Sequence, residues 1–265
     1  MVLRTVLFSC AALLVLTGMC IGKETTVDSL VITIVYDNVT AREDVVPAWG
    51  FSCLIQGLEK TILFDTGADG PTLLTNMRQL GLDPEAIDAV VLSHMHGDHT
   101  GGLSDILQEN PSLTVFLLES FPEHLKAEVN DHGAELIAVS DPLEICDGAL
   151  STGEMGVSIP EQGLIIRTAR GLVIVTGCAH PGIVEMVERS VYLGGSHPYL
   201  VLGGFHLFGT SRRGVRGIID RFRELGVLKA APCHCTGPEA IEMFKENYDQ
   251  QYVPCGVGRV ISVIP

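Results

Sequence analysis

The sequence predicts a layered α/β protein, and three observations lead to that class. Short apolar runs alternate with helical patterns, many of the runs end at glycine, and 46% of the 265 residues are hydrophobic. This length fits one large α/β domain or two small ones. Because the chain has no repeat of solenoid period and no low-complexity linker, two β/α halves packed as one domain fit best.

Periodicity and turn residues place the elements in order. Apolar, β-branched runs of strand length predict strands at residues 29–36, 49–56, 60–65, 87–92, 113–119, 134–139, 164–166, 172–175, 199–204 and 258–263, with another ahead of Ala231. Helical patterns predict helices at 71–80, from 103 onward, and at 121–130, 183–191, 212–225 and 238–247. Pro71 suits a first helical turn and Gly81 a helix end.

The densest chemical feature is the stretch from His94 to His99, which follows the predicted strand of residues 87–92. His94, His96, His99 and the carboxylate of Asp98 fall within six residues, on a glycine-marked loop that leads into a helix. Neutral imidazole and carboxylate are ligands that Zn²⁺-type cations select. We expect His94 and His96 to turn toward one ion, and Asp98 and His99 toward a second. A histidine-rich surface loop is the alternative, but an acidic, apolar-rich chain has no evident reason to concentrate histidine there.

Other predicted strands also end in a polar residue close to glycine. They end at Asp65, at His180, at His234 and at His206, which together with the cluster of residues 94–99 makes five such strand ends. Strand ends in a layered α/β fold converge on one edge. A single histidine at such a place is more often an ordinary polar residue. Beside the cluster of residues 94–99, whose ions still need ligands, the ligand interpretation is favoured.

These motifs resemble the metallo-β-lactamase superfamily over nearly all of residues 29–263. Further motifs at residues 49–52, 203–207 and 233–237 resemble its branch named after the 7,8-dihydropterin-6-yl-methyl-4-(β-D-ribofuranosyl)aminobenzene 5'-phosphate synthases. The resemblance implies a four-layer αβ/βα sandwich with a dinuclear metal site at one edge. By position it implies a first metal on His94, His96 and His180, a second on Asp98, His99 and His234, and Asp65 behind them, orienting the histidine loop.

One departure from the family pattern concerns the bridging ligand. Many members of the superfamily carry a metal-bridging Asp at the end of the strand that here ends at His206, and this chain has no acid there. His206 is therefore either a ligand or a donor that faces the substrate. One or two divalent ions are expected, with Zn²⁺ favoured and Mn or Fe compatible. For Cys178, Cys233 and Cys235, packing is favoured over ligation, because strand alternation points the last two away from the His234 face.

The resemblance implies an enzyme, and the expected activity is hydrolysis. A metal-activated water would attack an ester, lactone, amide or phosphoryl group of a small-molecule substrate, with Asp98 acting on its proton and His206 binding the substrate. A transferase of the synthase type and a di-iron redox protein are the alternatives. The net charge of −15 argues against nucleic acid as a partner.

The N-terminus predicts export. Arg4 precedes an apolar run over residues 5–20, and the chain turns polar at Lys23, which is the order of a secretory signal. Residues 1–22 are therefore expected to be a signal peptide or an N-terminal anchor, ahead of a metallo-β-lactamase-like domain at residues 29–263. The expected location is periplasmic or extracellular (a secreted protein), with membrane contact only if the segment is retained or lipidated.

Overall fold

The computed structural model describes residues 26–265. The strands in this part of the chain are β1 (Leu30–Tyr36), β2 (Ser52–Gln56), β3 (Ile62–Phe64), β4 (Ala89–Val91), β5 (Thr114–Leu118), β6 (Glu135–Val139), β7 (Glu144–Cys146), β8 (Ala149–Ser151), β9 (Leu164–Thr168), β10 (Gly171–Thr176), β11 (Pro198–Gly204), β12 (Lys229–Cys233) and β13 (Val260–Val263). The helices are α1 (Gly70–Gln79), α2 (Gly97–Thr100), α3 (Leu103–Glu109), α4 (Glu123–Asp131), α5 (Ile183–Gly194), α6 (Arg212–Glu224) and α7 (Pro238–Tyr248). Within residues 26–265, every helix falls short of the length and apolar character that a bilayer span requires.

The strands form two mixed sheets. The first has the order β13-β1-β2-β3-β4-β5-β6, and the second has the order β12-β11-β10-β9-β8-β7. Strands β3 to β6 are parallel to one another, as are β10 to β12, while the remaining pairs are antiparallel. Each sheet therefore has one parallel block, whose carboxyl ends lie at one edge.

Side-chain alternation divides the second sheet between two cores. Leu164 and Ile166 of β9 belong to the core shared with the first sheet, while Ile165 between them belongs to the core under α5, α6 and α7. Successive residues of a strand point to opposite faces, so a fully apolar strand is buried on both sides. Helices α1, α3 and α4 contribute buried residues to the core of the first sheet, among them Leu73 of α1.

This arrangement is the four-layer αβ/βα sandwich that the sequence predicted. The predicted helices and most predicted strand bounds agree with the structure to within a few residues. One local prediction is wrong: the stretch after His96 is not wholly a loop, because residues Gly97–Thr100 form one helical turn, closed where Gly101 donates its backbone N–H to the carbonyl of Gly97. The predicted signal peptide or anchor, residues 1–22, lies outside the described residues.

The parallel blocks of the two sheets bring their carboxyl ends together. Gly177, directly after β10, lies so close to the end of β4 that an added Cβ would stand 2.0 Å from Ser93 Oγ and 3.0 Å from Asp65 Oδ2. A residue without a side chain is thus required where the sheets meet. On the far side of β11, Phe205 packs against Phe222 and Phe244, with ring centroids 5.6 and 5.4 Å away, which anchors that strand end.

Candidate metal centre

Three imidazoles form a first triad at the meeting point of the sheets. His94 Nε2 lies 3.0 Å from His96 Nδ1 and 3.2 Å from His180 Nε2. His94 is fully buried, whereas His96 and His180 are partly exposed. The structure thus brings together the three residues that the resemblance assigns to a first metal.

A second triad combines one carboxylate with two imidazoles. His99 Nε2 lies 3.2 Å from His234 Nε2, and Asp98 Oδ2 lies 3.3 Å from His234 Nε2 and 3.8 Å from His99 Nε2. Both histidines are buried. These are the three residues that the resemblance assigns to a second metal.

Each triad draws its ligand atoms from both sheets. Two members of each come from the segment between β4 and α3, which belongs to the first sheet. The third member follows β10 in one triad and β12 in the other, and both of these strands belong to the second sheet. The convergence of strand ends that the sequence predicted therefore assembles both groups.

The spacing of the donor atoms fits a divalent ion. Nitrogen ligands at about 2.0–2.1 Å from a tetrahedral Zn²⁺ stand roughly 3.3 Å apart. The separations within the first triad are 3.0 and 3.2 Å, and those within the second run from 3.2 to 3.8 Å. Each triad thus suits a nitrogen- and oxygen-binding cation with further coordination positions open to other groups.

Hydrogen bonds on the outer side of the rings fix their direction. His99 Nδ1 donates to Asp65 Oδ2 at 2.7 Å, so the lone pair of His99 is on Nε2, which faces the centre. Asp65 also accepts from the backbone N–H and the hydroxyl of Ser93 at 2.7 and 2.8 Å. The Ser93 hydroxyl oxygen lies 2.9 Å from His94 Nδ1. Asp65 therefore occupies the orienting position expected of it.

Two polar residues after β1 orient the other buried imidazole, and the sequence interpretation missed both. Asn38 Oδ1 lies 3.1 Å from His234 Nδ1, and the same amide donates from Nδ2 to the His234 carbonyl at 3.1 Å. Asp37 Oδ1 accepts the backbone N–H of His234 at 3.1 Å. Burial raises the pKa of Asp37 to about 6. The signal was available, since these residues also follow an apolar strand.

The electrostatics keep the lone pairs of His94 and His180 free. Burial and the neighbouring imidazoles hold the pKa of His94 far below its usual range, and burial together with His206 lowers the pKa of His180 to about 4. Both rings are therefore neutral at pH 7, as ligation requires. Burial opposes protonation of His99, but the attraction and hydrogen bond of Asp65 outweigh it and raise the pKa, which makes that ring more basic.

Asp98 is the ionised member of the second triad. Burial acts to raise the pKa of its carboxyl, but the hydrogen bond with His234 and the neighbouring His99 prevail and lower it. The carboxylate is therefore negative at neutral pH and can face a cation.

Left-handed backbone marks the same strand ends. Asp65, Ala179, His206 and His234 have φ angles of 57°, 59°, 52° and 48°. Side chains with a Cβ rarely adopt this conformation, at a cost of roughly 1–2 kcal/mol each. Such residues persist where the surrounding structure holds them, and they cluster at functional sites.

The acidic residue that holds the His180 turn was missed from the sequence. Glu161 is fully buried, and its carboxylate accepts four backbone N–H groups at 2.9–3.0 Å, from Gly177, Cys178, Ala179 and His180. Burial raises the pKa of Glu161 to about 7 even though these donors act to lower it. Glu161 lies in a stretch without periodicity, so only its place between two buried strands could have indicated it.

His206 lies at the entrance of the site and not inside either triad. Its ring centroid is 4.4 Å from that of His180, and its side chain is exposed. A hydrogen bond with Cys235 raises the pKa of His206. Among the described residues its donor atoms group with Cys178 and Cys235 only. This position favours the interpretation of His206 as a substrate-facing donor over that of a ligand in either triad.

The entrance is open to solvent-sized and larger molecules. A cavity of about 490 Å³ is bordered by His180, His206 and residues of α5 and α6. Trp49 and Phe208 have 56% and 74% of their surfaces exposed, and the Trp49 ring centroid is 5.0 Å from that of His234. The centre can therefore be reached from outside by a small molecule.

Comparisons with known proteins agree on one family. The model of the metallo-beta-lactamase superfamily matches residues 50–197. The 7,8-dihydropterin-6-methyl-4-(beta-D-ribofuranosyl)-aminobenzene-5'-phosphate synthase of Methanocaldococcus jannaschii is 32% identical, covering 82% of this chain and 91% of that protein. A solved structure described as a metal-dependent hydrolase of the beta-lactamase superfamily superposes with a TM-score of 0.76 and 28% identity, covering 89% of this chain and all of that one.

One set of expectations requires correction. The sequence predicted a secreted or periplasmic hydrolase with a signal peptide. The Methanocaldococcus jannaschii relative, matched over 91% of its length, is named as a synthase. That finding contradicts the combined description of the chain as a hydrolase exported with a signal peptide, while the hydrolytic reaction and the location each stay a prediction.

Proposed function

The chain belongs to the metallo-beta-lactamase superfamily, and from this premise we propose that it is a metal-dependent enzyme that cleaves an ester, lactone, amide or phosphoryl bond of a small molecule. That it is an enzyme follows from the family, and the predicted resemblance to the synthase branch is confirmed. The hydrolytic reaction is our proposal. A divalent ion bound at such a site polarises a carbonyl or phosphoryl oxygen and activates water.

The observation that carries this proposal is the pair of triads with fixed rings. Buried imidazole nitrogens of both triads point at common centres, and polar groups behind them hold that orientation. A catalytic metal site requires this combination of preset ligands and open positions. The assignment of the six triad residues as ligands, with Zn²⁺ favoured and one or two ions bound, belongs to the proposal.

Two residues are proposed to handle the substrate and the proton. Asp98 is negative at neutral pH and has 21% of its side chain exposed, so its carboxylate can accept a hydrogen bond from a nucleophile beside the triads and is proposed to act on that proton. His206 faces the entrance next to His180 and can donate a hydrogen bond to a substrate oxygen.

A second candidate is transfer of a group to an acceptor other than water. It is favoured by the synthase relative, which is 32% identical over most of both chains. The same site would serve it, since activating an electrophile is common to both reactions. Hydrolysis and group transfer differ in the molecule that accepts the group, which is water in hydrolysis and a second substrate in transfer.

The test combines metal analysis with a substrate panel. Purified protein is loaded with Zn²⁺ or Mn²⁺ and assayed on ester, lactone and phosphodiester probes, and on a dihydropterin with a phosphorylated ribosyl-arylamine, with and without chelator. His94→Ala should lose metal and activity together. His124→Ala, at an exposed histidine of α4, is the matched control and should lose neither.

Each outcome of this experiment supports or rejects one of the proposed reactions. Turnover of a hydrolase probe that chelator abolishes supports hydrolysis, and turnover of the pterin pair alone supports transfer. Equal turnover with chelator present, or full activity of His94→Ala, rejects the metal-dependent function.

A further inference from the structure

A buried thiol lies beside both triads. Cys178 is 4% exposed, and its Sγ lies 3.2 Å from His99 Nε2, the atom that also faces His234. The donor atoms of Cys178, His94 and His99 all lie within 4.8 Å of one another. The thiol is thus close to one ligand atom from each triad.

The separation is that of a thiol–imidazole hydrogen bond, and it also suits ligation of one ion by both groups. A nitrogen at about 2.0–2.1 Å and a sulfur at about 2.3 Å from a tetrahedral zinc stand roughly 3.5 Å apart. The observed 3.2 Å between Cys178 Sγ and His99 Nε2 is close to that value. By contrast, Cys53 lies in the apolar core, as a packing cysteine does.

The backbone holds this thiol in place. The N–H of Cys178 donates to Glu161 at 3.0 Å, and Ala179 then turns the chain with a φ of 59°. Cys178 and His180, on either side of Ala179, are both directed into the centre.

The site also lacks a group that its family pattern leads one to expect. β11 leads into Phe205 and His206 without an acid, and His206 lies outside both triads. Among the described residues, Cys178 lies beside one member of each triad. On metal binding its S–H proton would pass to solvent, and the resulting thiolate would supply a negative charge there.

We propose that the Cys178 thiolate is a metal ligand between the two triads, taking the part that a bridging carboxylate would otherwise play. This inference rests on the metal site of the proposed function. A thiolate is a soft ligand, so it favours Zn²⁺, Co²⁺ or Fe²⁺ over Mn²⁺ at this centre.

Cobalt titration tests the assignment. Metal-free wild type, Cys178→Ser, Cys235→Ser and Cys53→Ser are titrated with Co²⁺ and followed by absorption. The wild type and the two control variants should develop a thiolate-to-cobalt charge-transfer band in the near ultraviolet. Cys178→Ser should lack that band while keeping its visible cobalt bands, and should bind Co²⁺ more than about tenfold more weakly.

X-ray absorption at the zinc edge tests the same point without a variant. The zinc-loaded wild type should show a sulfur scatterer at about 2.3 Å, which keeps the proposal testable even if Cys178→Ser does not fold. A near-ultraviolet band that persists in Cys178→Ser, or that disappears only in Cys235→Ser, overturns the proposal. A wild type that binds cobalt without the band overturns the role of Cys178 alone, whereas one that binds no ion overturns the proposed metal-dependent function.

Discussion

Glu161 holds the turn that carries His180, and its removal should be costly. Glu161→Ala leaves four buried backbone N–H groups without their acceptor. Each unsatisfied donor costs about 1–3 kcal/mol, so the free energy of unfolding should fall by roughly 4 kcal/mol even at the low end. Domains of this kind have stabilities of about 5–15 kcal/mol, so a large share is lost.

The Glu161→Gln variant keeps one acceptor oxygen but removes the ionisable carboxyl group. Its remaining Oε1 can still accept from Gly177, Cys178 and Ala179, while its NH₂ group would face the N–H of His180. One lost acceptor predicts a smaller decrease, about 1–3 kcal/mol. We therefore expect stability in the order wild type, Gln, Ala.

The pH dependence of the free energy of unfolding is a second test of the role of Glu161. Burial raises the pKa of folded Glu161 to about 7 from its ordinary value of 4.5, so between these values the folded state binds the proton and the unfolded state does not. Its contribution to stability is thus present below pH 4.5 and is lost as pH rises to 7, by up to roughly 3 kcal/mol. The advantage of wild type over Glu161→Gln should shrink across that window.

Urea unfolding of metal-free protein in the presence of chelator, between pH 4.5 and pH 8, measures both effects. Glu109→Ala, at an exposed acid near the end of α3, is the control and should change stability by less than about 0.5 kcal/mol. A Glu161→Ala variant as stable as Glu109→Ala, or an advantage over Gln that grows with pH, would refute the reasoning.

Two further predictions concern the close packing and orientation of the centre. Gly177→Ala would place a Cβ 2.0 Å from Ser93 Oγ and should cost about 1–3 kcal/mol in unfolding experiments, with weaker Zn²⁺ binding because Ser93 must leave its partners. Asn38→Ala frees the outer nitrogen of His234 and should weaken Zn²⁺ binding about 10–100-fold in chelator competition, with little change in fold by circular dichroism.

A matched control variant accompanies each of these two predictions. Gly217→Ala in α6 adds a Cβ with nothing within 4 Å, so it should leave metal binding unchanged and stabilise the helix by up to about 1 kcal/mol. Asn130→Ala, at an exposed asparagine of α4, should bind Zn²⁺ like the wild type. Gly177→Ala matching Gly217→Ala in stability, or Asn38→Ala matching Asn130→Ala in affinity, would show that these contacts do not matter.

The sequence carries the fold and the triad residues because both depend on local pattern. Strand-length runs that end beside glycine put His94, His180 and His234 at one edge by general rules of α/β architecture. The supporting residues follow no such rule. Glu161 is a fully buried charge in an aperiodic stretch, and composition alone would place it on the surface.

The direction of Cys178 was unpredictable for a related reason. The local pattern contains no sign of the turn after Cys178, where Ala179 has a φ of 59°. Non-glycine residues at such angles persist where the surrounding structure holds them. Here the contact is Glu161, which lies far away in sequence, so the turn cannot be read from its own residues.

The origin of the triads in both sheets affects how the protein unfolds. An ion held by either triad ties the segment after β4 to a strand end of the opposite sheet. Such a tie must break before one sheet can open away from the other. Local opening of either half is then suppressed, and the two halves exchange their amide hydrogens as one cooperative unit when the ion is bound.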